Sequence, residues 1–182
     1  MKALVKTFST RSRWLKKPVN SGAYRHWLID SGSLTQRLQL RCRDFCVKPI
    51  KLYNAKPQAD EVLLLNLSPQ QTALLREVYL CCSSQPVVFA HSVLPYKSLR
   101  GDWQGLGRLG NKSLGATLFT NPNVVRTALE FRKLSNHHAL YRRAVANLDS
   151  KPQALWARRS VFNLNGAEIL VTEVFLPRVL TL

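Results

Sequence analysis

Two apolar runs in this sequence carry charges of opposite sign where an ordinary core strand would carry none. Arg76 lies in ALLREVYLCC among Leu74, Leu75, Val78 and Leu80, and Glu173 lies in EILVTEVFLP among Leu170, Val171, Val174 and Phe175. Residues two apart in a strand share a face. Arg76 then shares a face with Val78 and Leu80, and Glu173 shares one with Ile169, Val171 and Phe175. The neighbouring Glu77 points to the face opposite Arg76. A charge on an apolar face must find a partner, water or a polar ligand, because desolvating it alone is costly. Two readings follow from the residues. Arg76 and Glu173 form a salt bridge with each other or with other residues, or they mark two ends of a small polar molecule in an apolar pocket.

The elements that must position these charges read as α+β. The runs LLREVYLCC and VVFAHSVLP, about the turn SSQP, form an antiparallel hairpin. A second hairpin closes the chain, with RRSVFNL and EILVTEVFLP about Asn165-Gly166, the strongest short-range hairpin signal. A short helix is expected from about Ala23 to Asp30, with Tyr24, Trp27 and Leu28 at helical spacing. Ser33 caps a second helix from Ser33 to Leu40. A basic strand or loop spans Val47–Asn54, and Pro57–Pro69 is a linker with one apolar patch at Val62–Leu65. Asn123 or Thr127 opens a helix to about Leu134, and another runs from about Ala139 to Asn147. Ser135–Gln153 is polar and insertion-like.

Composition limits the function classes. The 182 residues suit one domain, and 46% hydrophobic content argues for a packed core rather than disorder. The 27 Lys and Arg against 10 Asp and Glu give a net charge of +17, which attracts anions of any kind. No RNP motif, zinc-finger spacing or base-reading helix accompanies that charge, and no nucleic-acid partner is expected. The four cysteines lack the CxxC spacing of metal or redox motifs and read as small packing residues in a reducing compartment. His26, His91, His137 and His138 lack spaced partners for a metal triad. The first 29 residues contain no acidic side chain and resemble a mitochondrial transit peptide in composition, but the whole chain is basic. The preferred reading is a basic, poorly ordered N-terminus over 1–22 on a cytoplasmic protein, with one domain over 23–182. No run is long enough to span a membrane.

Gly105, Gly107 and Gly110 spell GxGxxG, with Glu130 twenty residues on. A dinucleotide fingerprint should follow a buried strand in a βαβ unit. Here RGDWQ precedes it and hairpins surround it, so the segment reads as a flexible glycine loop, or as a flap over a pocket.

Four ordered blocks, WLIDSGSLTQRL, LLREVYLCCSSQPVVFAHSVLP, LGRLGNKSLGATLFT and WARRSVFNLNGAEILVTEVFLP, resemble the chorismate pyruvate-lyase family from about Trp27 to Pro177. The resemblance implies an antiparallel sheet of about six strands flanked by helices, with a ligand buried under flaps. It also implies conversion of chorismate to 4-hydroxybenzoate and pyruvate at the entry to ubiquinone synthesis. By the same resemblance, Arg76 grips the ring carboxylate and Glu173 lies at the 4-hydroxyl side, these two being the catalytic pair. Leu34 and Leu114 are further substrate contacts, the latter through its backbone. The reaction removes the enolpyruvyl group from C3 and the hydrogen from C4 and leaves an aromatic ring, so no cofactor or metal is implied. Chorismate and 4-hydroxybenzoate are the implied small-molecule partners of a monomer. With the resemblance, ligand contact is favoured over a mutual salt bridge.

A rival of another class is a non-catalytic effector-binding module. Sensor domains of some transcription regulators resemble this strand pattern. The segment before the domain is short for the winged helix such regulators carry.

Overall fold

The computed structural model describes residues 14–182, apart from the side chain of Ala116. In chain order the elements are α1 Arg25–Leu28, α2 Leu34–Arg41, β1 Phe45–Ala55, α3 Ala59–Leu64, β2 Ala73–Cys82, β3 Gln85–Pro95 and α4 Tyr96–Leu99. They continue with α5 Leu114–Thr120, β4 Val125–Arg126, β5 Glu130–Ser135, α6 Ala139–Ala144, β6 Ala154–Leu164 and β7 Ala167–Phe175. Seven antiparallel strands form one sheet in the order β1-β2-β3-β7-β6-β4, with β5 also on β6. Both β4 and β5 pair with the same edge of β6, so the sheet has six lanes and its last lane is broken. The fold is α+β in a single domain, as the hairpins implied.

Both hairpin turns follow from backbone chemistry. Asn165 (φ 51°) and Gly166 (φ 85°) take the left-handed conformations that a two-residue turn between twisted strands needs. Ser83 and Ser84 adopt the same region, at φ 48° and 65°. Gln85 and Pro86, expected in the turn, already pair with Cys82 and Cys81.

Three expectations are corrected. The helix expected up to Leu134 is replaced by β4 and β5. Phe131 and Leu134 are three apart, which mimics helical spacing, but an odd separation puts them on opposite faces of a strand, each in a different apolar cluster. The open edge of β6 takes the segment as its partner, and tertiary pairing overrides local preference. The linker Pro57–Pro69 holds α3, whose Glu61 carboxylate accepts the backbone N–H of Gln58 at 2.8 Å and closes the first turn. The cysteines are not all simple packing residues. Cys42, just past α2, is disulfide-bonded to Cys82 at the end of β2, with their Cα atoms 5.4 Å apart. A sequence separation of 40 hides that pair from any spacing rule. Cys46 and Cys81 remain free thiols on adjacent strands, and burial pushes the Cys81 pKa up to about 11.

The basic N-terminus lies for residues 1–13 outside the described residues. From Trp14 onward the chain packs on the sheet: Trp14 is buried, and Leu15 pairs with Phe131. The polar segment 135–153 carries α6, which buries Leu140, Tyr141 and Ala144 against the sheet. No helix among the described residues is long and apolar enough to cross a membrane.

Candidate active site

Strand register explains how two distant charges come together. Arg76 of β2 stands opposite Ser92 of β3, and Ser92 stands opposite Val171 of β7. One pair along, Val78, Ala90, Glu173 and Arg158 form the adjacent row across β2, β3, β7 and β6. All of these share one face of the sheet. Arg76 and Glu173 are therefore on the same face, two lanes apart and two residues offset, a backbone separation of roughly 12 Å at ordinary strand spacing. Glu77 goes to the opposite face, as alternation required.

Above this face lies a cavity with about 470 Å³ of empty space, including its mouth. Its floor includes Arg76, Ser92, Val171 and Glu173, and its roof is α2, with Leu34 and Thr35, and α5, with Leu114 and Phe119. All four residues singled out from sequence thus line one chamber. Thr35 Oγ1 and Ser113 Oγ lie 2.6 Å apart and tie the two roof segments together. Phe162 and Leu118 close the side toward β6. A mostly apolar chamber with a few converging polar groups is the usual form of a small-molecule site.

Arg76 is 6% exposed and no carboxylate among the described residues pairs with it. Its Nη2 donates to the carbonyls of Gly110 (3.0 Å) and Lys112 (2.8 Å), both in the glycine-rich loop. The GxGxxG segment is thus a flap whose backbone rests on the guanidinium. The remaining edge of the fork is left for a planar anion. Burial pushes the Arg76 pKa down from the usual arginine value, which raises the gain from meeting an anion.

Glu173 does not pair with Arg76. Its Oε2 accepts from Arg158 Nε at 2.5 Å, and Arg158 is 1% exposed. Arg158 Nη1 donates to the carbonyls of Trp27, Leu28 and Asp30 at 3.0, 3.3 and 2.5 Å, at the end of α1. One buried arginine therefore satisfies a helix C-terminus and fixes the carboxylate, while Oε1 takes no hydrogen bond from the described residues. Sequence reasoning missed Arg158, although WARRSVF shows the same signal that marked Arg76: a charge inside an apolar strand. Its neighbour Arg159 points to the other face, where it meets Asp60 and Glu130.

The opposite face holds a second buried polar group. His91 is wholly buried, with Nδ1 3.1 Å from Glu77 and Nε2 3.2 Å from Glu61. Arg143 Nη1 lies 2.6 Å from Glu77, and the Tyr53 hydroxyl donates to it at 3.3 Å. Burial alone would raise both carboxyl pKa values, but His91, with Arg143 beside Glu77, outweighs it and both are lowered. Burial opposes a charged His91, yet the two glutamates raise its pKa. This network pins α3 and α6 to the sheet and does not face the cavity.

A family model described as chorismate lyase matches residues 10–181. The chain belongs to the chorismate lyase family. A protein of Methylobacillus flagellatus named "Probable chorismate pyruvate-lyase" is 51% identical over 172 residues, covering 94% of this chain and 97% of that relative. A protein of the same name from Nitrosospira multiformis is 53% identical, covering 94% and 96%. Among solved structures, the effector domain of PhnF from Mycobacterium smegmatis is similar at 13% identity with a TM-score of 0.56, covering 81% of this chain and 90% of that one. A transcriptional regulator of the GntR family from Bacillus cereus is similar at 11% identity with a TM-score of 0.53, covering 74% and 92%. These two likenesses show that the chorismate lyase fold is shared with regulators. They carry nothing about activity.

Proposed function

We propose that this chain is a chorismate pyruvate-lyase, releasing 4-hydroxybenzoate and pyruvate at the entry to ubiquinone synthesis. The observation that carries this reading is that one covered apolar chamber has at one end Arg76, without a carboxylate partner among the described residues, and at the other a positioned Glu173, in a chain of this family. Arg76 binds the ring carboxylate through the open edge of its guanidinium. Glu173, oriented by Arg158, accepts a hydrogen bond from the 4-hydroxyl at the far end of the ring. Leu34 and Leu114 press the ring from the roof, and the Leu114 backbone is a further contact.

The reaction needs little beyond this. The C3–O bond breaks, the enolpyruvyl oxygen leaves with the bonding pair, and the C4 hydrogen leaves as a proton that is taken up as the released enolpyruvate becomes pyruvate. The ring becomes aromatic, so the driving force lies in the substrate. The protein holds the diene in a reactive pose and keeps water out. Purified protein mixed with chorismate should generate the absorbance of 4-hydroxybenzoate with one equivalent of pyruvate. Tight chorismate binding without either product would overturn the lyase reading and favour an effector-binding module on the same fold.

A further inference from the structure

Chorismate carries a second carboxylate on its three-carbon enolpyruvyl arm, and among the described residues the cavity lining contains no second arginine or lysine. Arg76 already serves the ring carboxylate, and Arg158 is neutralised by Glu173. A dianion in such a chamber would leave one carboxylate desolvated and uncompensated.

Arg126, on the edge strand β4, stands just beyond the wall. Its Nε donates to Ser160 Oγ at 2.7 Å and its Nη1 to the Ser31 carbonyl at 2.9 Å. Its guanidinium lies 5.5 Å from the Phe119 ring centroid and 5.1 Å from that of Phe162, and both rings line the cavity. Among the described residues, no carboxylate lies within ion-pair distance of it. Burial lowers its pKa, Glu173 and Asp30 act in the opposite sense, and Arg158 adds to the lowering. The strand order then sets out the substrate. The ring carboxylate sits over β2 at Arg76, the ring over β3, and the hydroxyl over β7 at Glu173. The arm at C3, adjacent to the hydroxyl-bearing C4, continues over β6 toward β4. With Arg158 offset by Glu173, Arg76 and Arg126 are two guanidiniums for the two carboxylates of the substrate.

We propose that Arg126 receives the enolpyruvyl carboxylate and so distinguishes substrate from product. The proposal rests on the lyase reading above. Phe119, at the half-exposed end of the roof helix α5, is the side chain that shifts to admit the arm. When the C3–O bond breaks, this carboxylate leaves with pyruvate, and 4-hydroxybenzoate retains only its contacts to Arg76 and Glu173.

The test compares two ligands at equilibrium and one reaction. Arg126→Gln should bind 4-hydroxybenzoate within about twofold of wild type, since that ligand has no arm. Binding of 3-(carboxymethoxy)-4-hydroxybenzoate, whose arm ends in a carboxylate, should weaken by at least about tenfold, and chorismate kcat/KM should fall by at least as much. Arg126→Lys, which keeps the charge and serves if the glutamine variant folds poorly, should show a smaller loss confined to the two-carboxylate ligands. Equal weakening of both ligands would make Arg126 structural. Unchanged binding of the carboxymethoxy ligand, or a selective loss in Lys112→Ala instead, would overturn the assignment. A wild-type protein that binds both ligands but never turns over chorismate would refute the lyase reading and leave the ligand comparison standing.

Discussion

At the scale of single residues, two charges do different work. Among the described residues Arg76 is buried without an anionic partner, so its charge would gain most from an arriving anion. Arg76→Ala should weaken 4-hydroxybenzoate binding by about 100-fold, the size of a lost charge-assisted fork. Its melting temperature should stay near wild type, since only two flap carbonyls lose a donor; early melting with unchanged affinity would make the residue structural. Glu173→Gln keeps the shape and removes the negative charge. Turnover should drop by about 100-fold or more if Glu173 takes the C4 proton, and wild-type kcat would reduce it to a spectator. Both residues were legible in the sequence because a charge in an apolar strand needs a reason. Arg158 and Arg126 were harder to read, since their meaning depends on what Glu173, Phe119 and Phe162 present to them across strands.

At the scale of elements, the sheet separates chemistry from stability. The buried His91 is faced by Glu61 from α3, Glu77 from β2 and Arg143 from α6, with Tyr53 of β1 also against Glu77. The His91 pKa is raised from 6.5, so its share of stability is complete below that value and is lost as pH climbs through the folded value. The Glu61 and Glu77 values are lowered from 4.5, so their share is complete above that value and is lost as pH falls through the folded values. Thermal melting should therefore show the network at full strength between about 4.5 and 6.5, with His91→Gln flattening the profile. A variant profile parallel to wild type would refute this. The disulfide links roof helix α2 to floor strand β2 across a separation of 40 residues. Reduction should cost roughly 3–4 kcal/mol by loop closure, seen as a lower melting temperature with dithiothreitol; no shift would mean the bond contributes nothing to folding. The two hairpins could be read from sequence because turn chemistry and alternation are local. Strands β4 and β5 and helix α3 could not, because an unfilled sheet edge and a buried histidine decide them from afar.

At the scale of the whole molecule, the chamber lies in a chain of net charge +17. Such a field raises the encounter rate with small dianions, and Arg76 stands inside the chamber as a buried cation. The strand order β2-β3-β7-β6-β4 runs from Arg76 through Glu173 toward Arg126, giving the chamber a direction as well as a charge. The measurement that bears most directly on this arrangement is a crystal structure with 4-hydroxybenzoate bound. The carboxylate should lie against the Arg76 guanidinium and the hydroxyl within hydrogen-bond distance of Glu173, with the ring beneath Leu34 and Leu114. A ligand bound outside the chamber, or with its carboxylate turned toward Glu173, would contradict the account.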